Sequence, residues 1–298
     1  MPTPKRILER TWRERAARFF GRFASDLLEI WELDSEHVDQ SSRFAILRPP
    51  PGETTRDEPS ESLPIAVLLH GIGDTPYALD RFGAAVALRS AISAGRIPRC
   101  HLVAPSGERG FWIDWHDGTN RWESHLLKEV IPAAEELLGG ERPPLARHLV
   151  GVSMGGIGAI QIGLRHPDLF ASASSLSGPI LDERQAVEQL EKSINRWLLP
   201  LSRIFGDGGD REFFEAHNPF AIARRRAPQL GIRLSLAAGK KEKPFFRDTT
   251  IAFHRLLEER GVTHRFELFE GKHRWRHWTP AIERSLAWAI EEGYSIST

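Results

Sequence analysis

His148-Leu149-Val150-Gly151-Val152-Ser153-Met154-Gly155-Gly156-Ile157-Gly158-Ala159, running on as IQIGLRH to residue 166, decides the fold. The run HLVGV predicts a buried strand, and GGIGAIQIGLRH predicts a helix directly behind it. Between them stands Gly151-Val152-Ser153-Met154-Gly155. A Gly-x-Ser-x-Gly pentapeptide is weak by itself, because both residue types are common. Between a strand and a helix it describes a nucleophile elbow, with the serine on a sharp turn and small neighbours admitting close backbone. The plain alternative is a glycine-rich turn without chemistry.

Short apolar runs on either side of this unit repeat the pattern. PIAVLLH (64–70), RCHLVAP (99–105), FASASSLSG (170–178), IRLSLAAG (232–239) and HRFELFEG (264–271) alternate with helical segments. Continuous apolar strands separated by helices predict an α/β class, a mostly parallel central sheet with helices on both faces. Residues 42–48 (SRFAILR) alternate as a further strand. Residues 182–228 carry helical stretches and the turn-rich FGDGGD, a helical insertion placed to roof a site.

A serine hydroxyl needs a base to take its proton. In this fold the chain order is serine, acid, histidine. His273 lies just past HRFELFEG, at the carboxyl end of a strand, where ligands gather in open α/β sheets. His277 is its rival, but it falls on the following helix. The acid belongs after IRLSLAAG. Glu242 lies three residues past Gly239, and Asp248 is the alternative, read as starting the helix DTTIAFHRLLEERG, where a carboxylate has an ordinary capping use. An oxyanion needs two amide donors. Met154, after the nucleophile, supplies one, and Ile72 the other, with Gly73 as second choice in the turn His70-Gly71-Ile72-Gly73-Asp74. His70 is read as a structural residue of that turn. Gly71, Trp112, Trp115 and Trp275 are candidate substrate contacts, the first two tryptophans because FWIDWH (111–116) is expected over the pocket. Ordinary packing of that loop is the competing reading, since tryptophan is mostly buried.

Taken together, LLHGIGD, WESHLLKEVIP (122–132), GVSMGGIGA, HNPFAIA (217–223) and Gly271-x-His273-x-Trp275-x-x-Trp278 resemble the esterase D-like family of α/β-hydrolases. That family includes S-formylglutathione hydrolases, feruloyl and acetylxylan esterases, enterochelin esterases and antigen 85 mycolyltransferases. The likeness runs from about residue 36 to 292. It implies Ser153, Glu242 and His273 as the triad and Ile72 and Met154 as the oxyanion hole. Where the family usually has Gly-x-x-Asp, this chain has Gly239-Lys240-Lys241-Glu242.

Composition narrows the partners. Forty basic residues balance forty acidic ones, so no global field favours nucleic acid or an anionic membrane. The single cysteine, Cys100, permits no internal disulfide, and no His-Glu-x-x-His pattern or cysteine cluster suggests a metal. No cofactor is expected, and no stretch reaches the length of a bilayer span. Arginines and glutamates break any leader-like apolar core in the first twenty residues, so the reading is cytoplasmic. Residues 1–35 are set apart as an N-terminal amphipathic extension and 36–298 as the hydrolase domain. Leu8, Trp12, Ala16, Phe19, Phe20, Phe23 and Leu27 share one face of a helix expected over 5–31, whose other face is basic. That helix would pack on its own domain, on a second copy, or on a surface.

The expectation for function is serine-dependent hydrolysis of a small-molecule carboxylic ester through an acyl-enzyme. Two alternatives stand beside it: an acyltransferase using the same residues, and a non-catalytic binding protein that has kept the fold.

Overall fold

The computed structural model describes residues 3–6, 26–51, 63–139, 146–186, 201–206 and 210–294, with side chains through residue 291. Among them nine strands form one sheet in the order β1-β2-β3-β5-β4-β6-β7-β8-β9. These are β1 (Lys5–Arg6), β2 (Leu28–Leu33), β3 (Ser42–Leu47), β4 (Ile65–Leu69), β5 (His101–Pro105), β6 (Arg147–Val152), β7 (Ser172–Leu176), β8 (Arg233–Gly239) and β9 (His264–Phe269). From β5 through β9 every pairing is parallel, and β1, β2 and β3 add antiparallel at one edge.

β4 is apolar throughout because both faces are covered. Ile65, Val67 and Leu69 belong to the core on one side, and Ala66 and Leu68 to the core on the other. Successive side chains on a strand point to opposite faces, so a strand between two helical layers has no solvent face for large polar residues; β7, Ser-Ala-Ser-Ser-Leu, meets the same demand with small ones. One layer holds α1 (Ala78–Arg81), α2 (Ala84–Ser93) and α10 (Trp275–Tyr294). The opposite layer holds α5 (Met154–Arg165), α8 (Pro219–Arg226), α9 (Pro244–Glu259) and α4 (Ile131–Leu138), which follows α3 (Trp122–His125) through a π-helical turn. This is the α/β-hydrolase architecture.

The motif WESHLLKEVIP has a structural use here. Glu123 is buried between Arg165 and His166 at 2.7 Å each, which ties α3 to the end of α5. Glu129 accepts from the Ser35 hydroxyl at 2.6 Å and the Glu36 amide at 2.8 Å, fastening the 34–38 loop to the π turn. Removing one partner of such a buried pair typically costs about 3–5 kcal/mol.

Two expectations need correction. The sheet begins before residue 36: β2 pairs with β3 from Leu28↔Leu47 to Leu33↔Ser42, and β1 pairs with β2. The helix expected over 5–31 therefore cannot reach either end of that range. Leu28 and Ile30 are buried on a period of two, which the helical spacing upstream had masked. The stretch that carries the apolar stripe, 7–25, lies outside the described residues. The insertion between β7 and β8 is helical where described, with α6 (Leu201–Phe205), α7 (Arg211–His217) and α8. Asp210 and Asn218 cap α7 and α8 by accepting from the Phe213 and Ala221 amides, so each short helix starts on its own local signal. No helix among the described residues is long and apolar enough to cross a membrane.

Candidate active site

The carboxyl ends of three strands converge. Ser153 follows β6 with φ 56° and ψ −120°, a conformation disfavoured for a residue with a side chain. Close packing enforces it. A Cβ on Gly151 would stand 1.8 Å from the Gly155 oxygen, and one on Gly155 would stand 2.0 Å from the Leu69 oxygen. The two glycines of the pentapeptide are thus space requirements: strand, helix and the neighbouring β4 meet where no side chain fits. The Ser153 amide donates to the Leu176 carbonyl at 2.9 Å, which fixes the turn against β7.

His273, four residues past β9, brings Nε2 to 2.9 Å from Ser153 Oγ. Its ring is stacked on Phe246 at 3.8 Å between centroids and meets Trp278 edge-on at 4.6 Å. Glu242, after β8, has a fully buried side chain, and its Oε2 faces His273 Nδ1 at 3.6 Å. Neither atom has another hydrogen-bond partner among the described residues. The gap is too long for a hydrogen bond as it stands, and such contacts commonly tighten when substrate binds. The rivals are elsewhere. Asp248 is exposed and paired with Arg247 at 2.7 Å. It does not start its helix, since α9 opens earlier, at Pro244, with proline preset for the first turn. His277 lies on α10, where Nδ1 meets the Lys272 backbone.

The loop after β4 runs against the serine: a Cβ on Gly71 would lie 3.2 Å from Ser153 Cβ. The Ile72 amide follows directly, and the Met154 amide opens α5 on the other side of Ser153. His70 is buried and holds this loop. Nδ1–H donates to the Gly71 oxygen at 2.8 Å, and Nε2 accepts from the Gly107 amide at 3.0 Å. Burial, the largest influence, lowers its pKa below the ordinary histidine value, in keeping with this neutral tautomer.

The aromatic expectations are corrected. Trp112 is wholly buried in the core. Left-handed backbone at Phe111 and Trp112 (φ 55° and 60°) turns the indole inward, onto space left by Gly107 and Gly158. Trp115 donates to the Gly110 carbonyl and lies under the Arg203 guanidinium. Trp275 is buried, donates to Asp74 at 2.9 Å and stacks on Phe82, a tie between the histidine loop and the loop of Ile72. Of FWIDWH, Phe111 alone lines the cavity beside the site.

One residue was missed from the sequence. Ser177, at the end of β7 with φ 57°, donates its hydroxyl proton to Glu242 Oε1 at 2.6 Å and accepts from Trp278 Nε1 at 3.0 Å. Only its place in SSLSG at a strand's carboxyl end could have flagged it.

The family described as "Putative esterase" matches residues 35–289. The chain belongs to this esterase family. It is 22% identical to an acetyl esterase of Caldicellulosiruptor saccharolyticus over 78% of this chain and 85% of that one. It is 31% identical to the MPT51 antigen of Mycobacterium leprae over 126 residues, which span 39% of this chain and 40% of that relative's length. Among solved structures, FphF, a fluorophosphonate-binding serine hydrolase of Staphylococcus aureus, superposes with a TM-score of 0.72 at 18% identity, covering 88% of this chain and 97% of that one. Membership rests on the family match, and the likeness to FphF, at that identity, speaks for the fold.

Proposed function

We propose that the protein hydrolyses a carboxylic ester through an acyl-enzyme formed on Ser153. The observation that carries this reading is the 2.9 Å contact of Ser153 Oγ with His273 Nε2 on a strained elbow. His273 Nε2 takes the hydroxyl proton as Oγ attacks the ester carbon, and the negative charge developing on the carbonyl oxygen is received by the Ile72 and Met154 amides. Collapse breaks the carbon–oxygen bond to the alkoxy group, which leaves as the alcohol with the proton that His273 took from Ser153. Water then repeats the sequence on the acyl-enzyme, with His273 as base, and frees the acid. Glu242 keeps the histidine in the tautomer with a proton on Nδ1 and stabilises the cation formed in each half-reaction.

Two measurements test this. The protein should react stoichiometrically with a fluorophosphonate probe, and Ser153→Ala should lose both that labelling and p-nitrophenyl acetate turnover. Labelling of the alanine variant at another residue would refute the assignment.

A further inference from the structure

One helical turn past Ser153, at Ile157, lies a cavity of about 220 Å³ lined by none of the reacting groups. Its floor is α5, through Ile157 and Gln161. Ile157 is one turn beyond the nucleophile, and its amide points back at the Ser153 carbonyl at 3.3 Å. Phe245 forms a wall, edge-on to Phe246, the ring stacked on His273. Phe205 and Phe214, from the insertion between β7 and β8, add two further rings to its lining.

Among the described residues no acidic side chain, lysine or arginine lines this space. The described polar side chains there are three, and most of their groups are engaged. Gln161 donates to the Phe111 carbonyl at 2.8 Å. Asn218 donates to Leu181 and accepts from Ala221. His217 donates Nδ1–H to the Phe213 carbonyl at 2.7 Å, and burial, ahead of the nearby Arg165 charge, lowers its pKa, so the ring stays uncharged at neutral pH. A charged group entering would give up its hydration and meet no counter-charge.

The cavity also has a side. The departing alcohol must stand next to His273, which returns its proton. None of the residues from 270 to 278 lines the cavity, and neither do Ser153, Ile72 and Met154; its described surface comes from Phe111, α5, the β7–β8 insertion and the start of α9, so it opens from the α5 side of the serine.

We infer that this cavity receives the acyl portion of the substrate, and that the acyl group is uncharged and apolar, of phenyl or medium-chain size. The assignment rests on the ester-hydrolase reading above and adds the class of acid released. The volume leaves room for a phenyl ring or a six-carbon chain and is far more than formyl or acetyl needs. Each methylene buried there should raise kcat/KM by about fourfold, from about 0.8 kcal/mol apiece.

The test uses p-nitrophenyl esters, with each kcat/KM corrected for the ester's own alkaline hydrolysis rate. From acetate to hexanoate or benzoate, corrected kcat/KM should rise at least about tenfold, and the hemisuccinate should fall about a hundredfold below the butyrate. Ile157→Trp and, separately, Ala186→Phe fill the cavity from two sides. Each should lower the hexanoate-to-acetate ratio at least about tenfold, so one folded variant suffices. A flat or falling acyl profile in an enzyme that turns over acetate would overturn the inference and leave the hydrolase reading standing. So would variants that change discrimination among the alcohols of acetate esters instead. Absence of both probe labelling and turnover of every ester would refute the hydrolase reading and take this inference with it.

Discussion

Replacing Glu242 by glutamine changes the shape of the site very little and its chemistry almost completely. The carboxylate is fully buried, takes the Ser177 hydroxyl proton on Oε1 at 2.6 Å and faces His273 Nδ1 with Oε2 at 3.6 Å. Glutamine can keep the first contact through its carbonyl oxygen. It then turns an NH2 toward Nδ1, so two donors face each other. The imidazole escapes by moving its proton to Nε2, which now donates toward Ser153 and can no longer accept from it. An interchange of this kind, with geometry intact, lowers kcat by about 10⁴-fold, or about 5 kcal/mol at 1.36 kcal/mol per decade. Stability should change by only about 1 kcal/mol, because one charge-assisted hydrogen bond becomes neutral while a buried charge disappears. Asp248→Asn is the control. That carboxylate is exposed and, among the described residues, pairs with Arg247, so kcat should stay within about twofold and stability within about 0.5 kcal/mol. Both variants are compared in one buffer by kcat on a p-nitrophenyl ester and by Tm. A Glu242→Gln enzyme within tenfold of wild type, or a dead Asp248→Asn enzyme that is still folded, refutes the assignment of the acid.

Other outcomes follow from single contacts. Ser153→Ala should cut kcat by about 10⁵-fold or more with an unchanged far-ultraviolet spectrum, since the small side chain suits the elbow. Ser177→Ala strips Glu242 and the Trp278 indole of a shared partner; kcat should fall about tenfold or more with KM unaltered and the kcat–pH profile displaced, whereas a purely structural serine would move Tm alone. Gly151→Ala should fail to yield folded protein, because its Cβ would sit 1.8 Å from the Gly155 oxygen. His148 is buried and its pKa is lowered to about 4, by burial first and then by the Arg233 charge. Below pH 6.5 the unfolded chain therefore binds a proton that the folded one refuses, and this contribution to stability falls as pH drops from 6.5 to 4, by about 3 kcal/mol in all. Urea unfolding at pH 7 and pH 4.5 should show a smaller drop for His148→Gln than for wild type; equal drops would count against it.

Much of this was legible in the sequence, for identifiable reasons. Six strands from Ile65 onward announced themselves as short runs rich in apolar or small residues between helical segments. Ser153, Glu242 and His273 follow their strands by one, three and four residues, so finding the strand pointed to the residues that the fold brings together. What could not be read depends on backbone turns or on distant partners. The indole of Trp112 points inward because two consecutive residues take the left-handed conformation, and nothing in FWIDWH requires that. β2 was hidden because LLEIWEL continues a helical spacing while pairing as a strand. Ser177 acts through Glu242, 65 positions away in the chain. The cavity draws on Phe111, Ile157, Phe205 and Phe245, which no spacing rule connects.

Of the helices inserted between β7 and β8, α7 and α8 begin on their own caps, and the insertion supplies none of Ser153, Glu242 and His273. Two kinds of change are thereby uncoupled. A lineage could lengthen, shorten or rewrite that excursion, and so exchange one acid for another, while the reacting atoms kept their places. Inherited chemistry and acquired taste would drift at different speeds. For an engineer the same division marks the cavity-lining positions Leu181, Ala186, Leu201, Phe205 and Phe214 as the ones to randomise, and α8, packed in the core, and the elbow, with its two glycines locked against backbone, as the parts to leave alone.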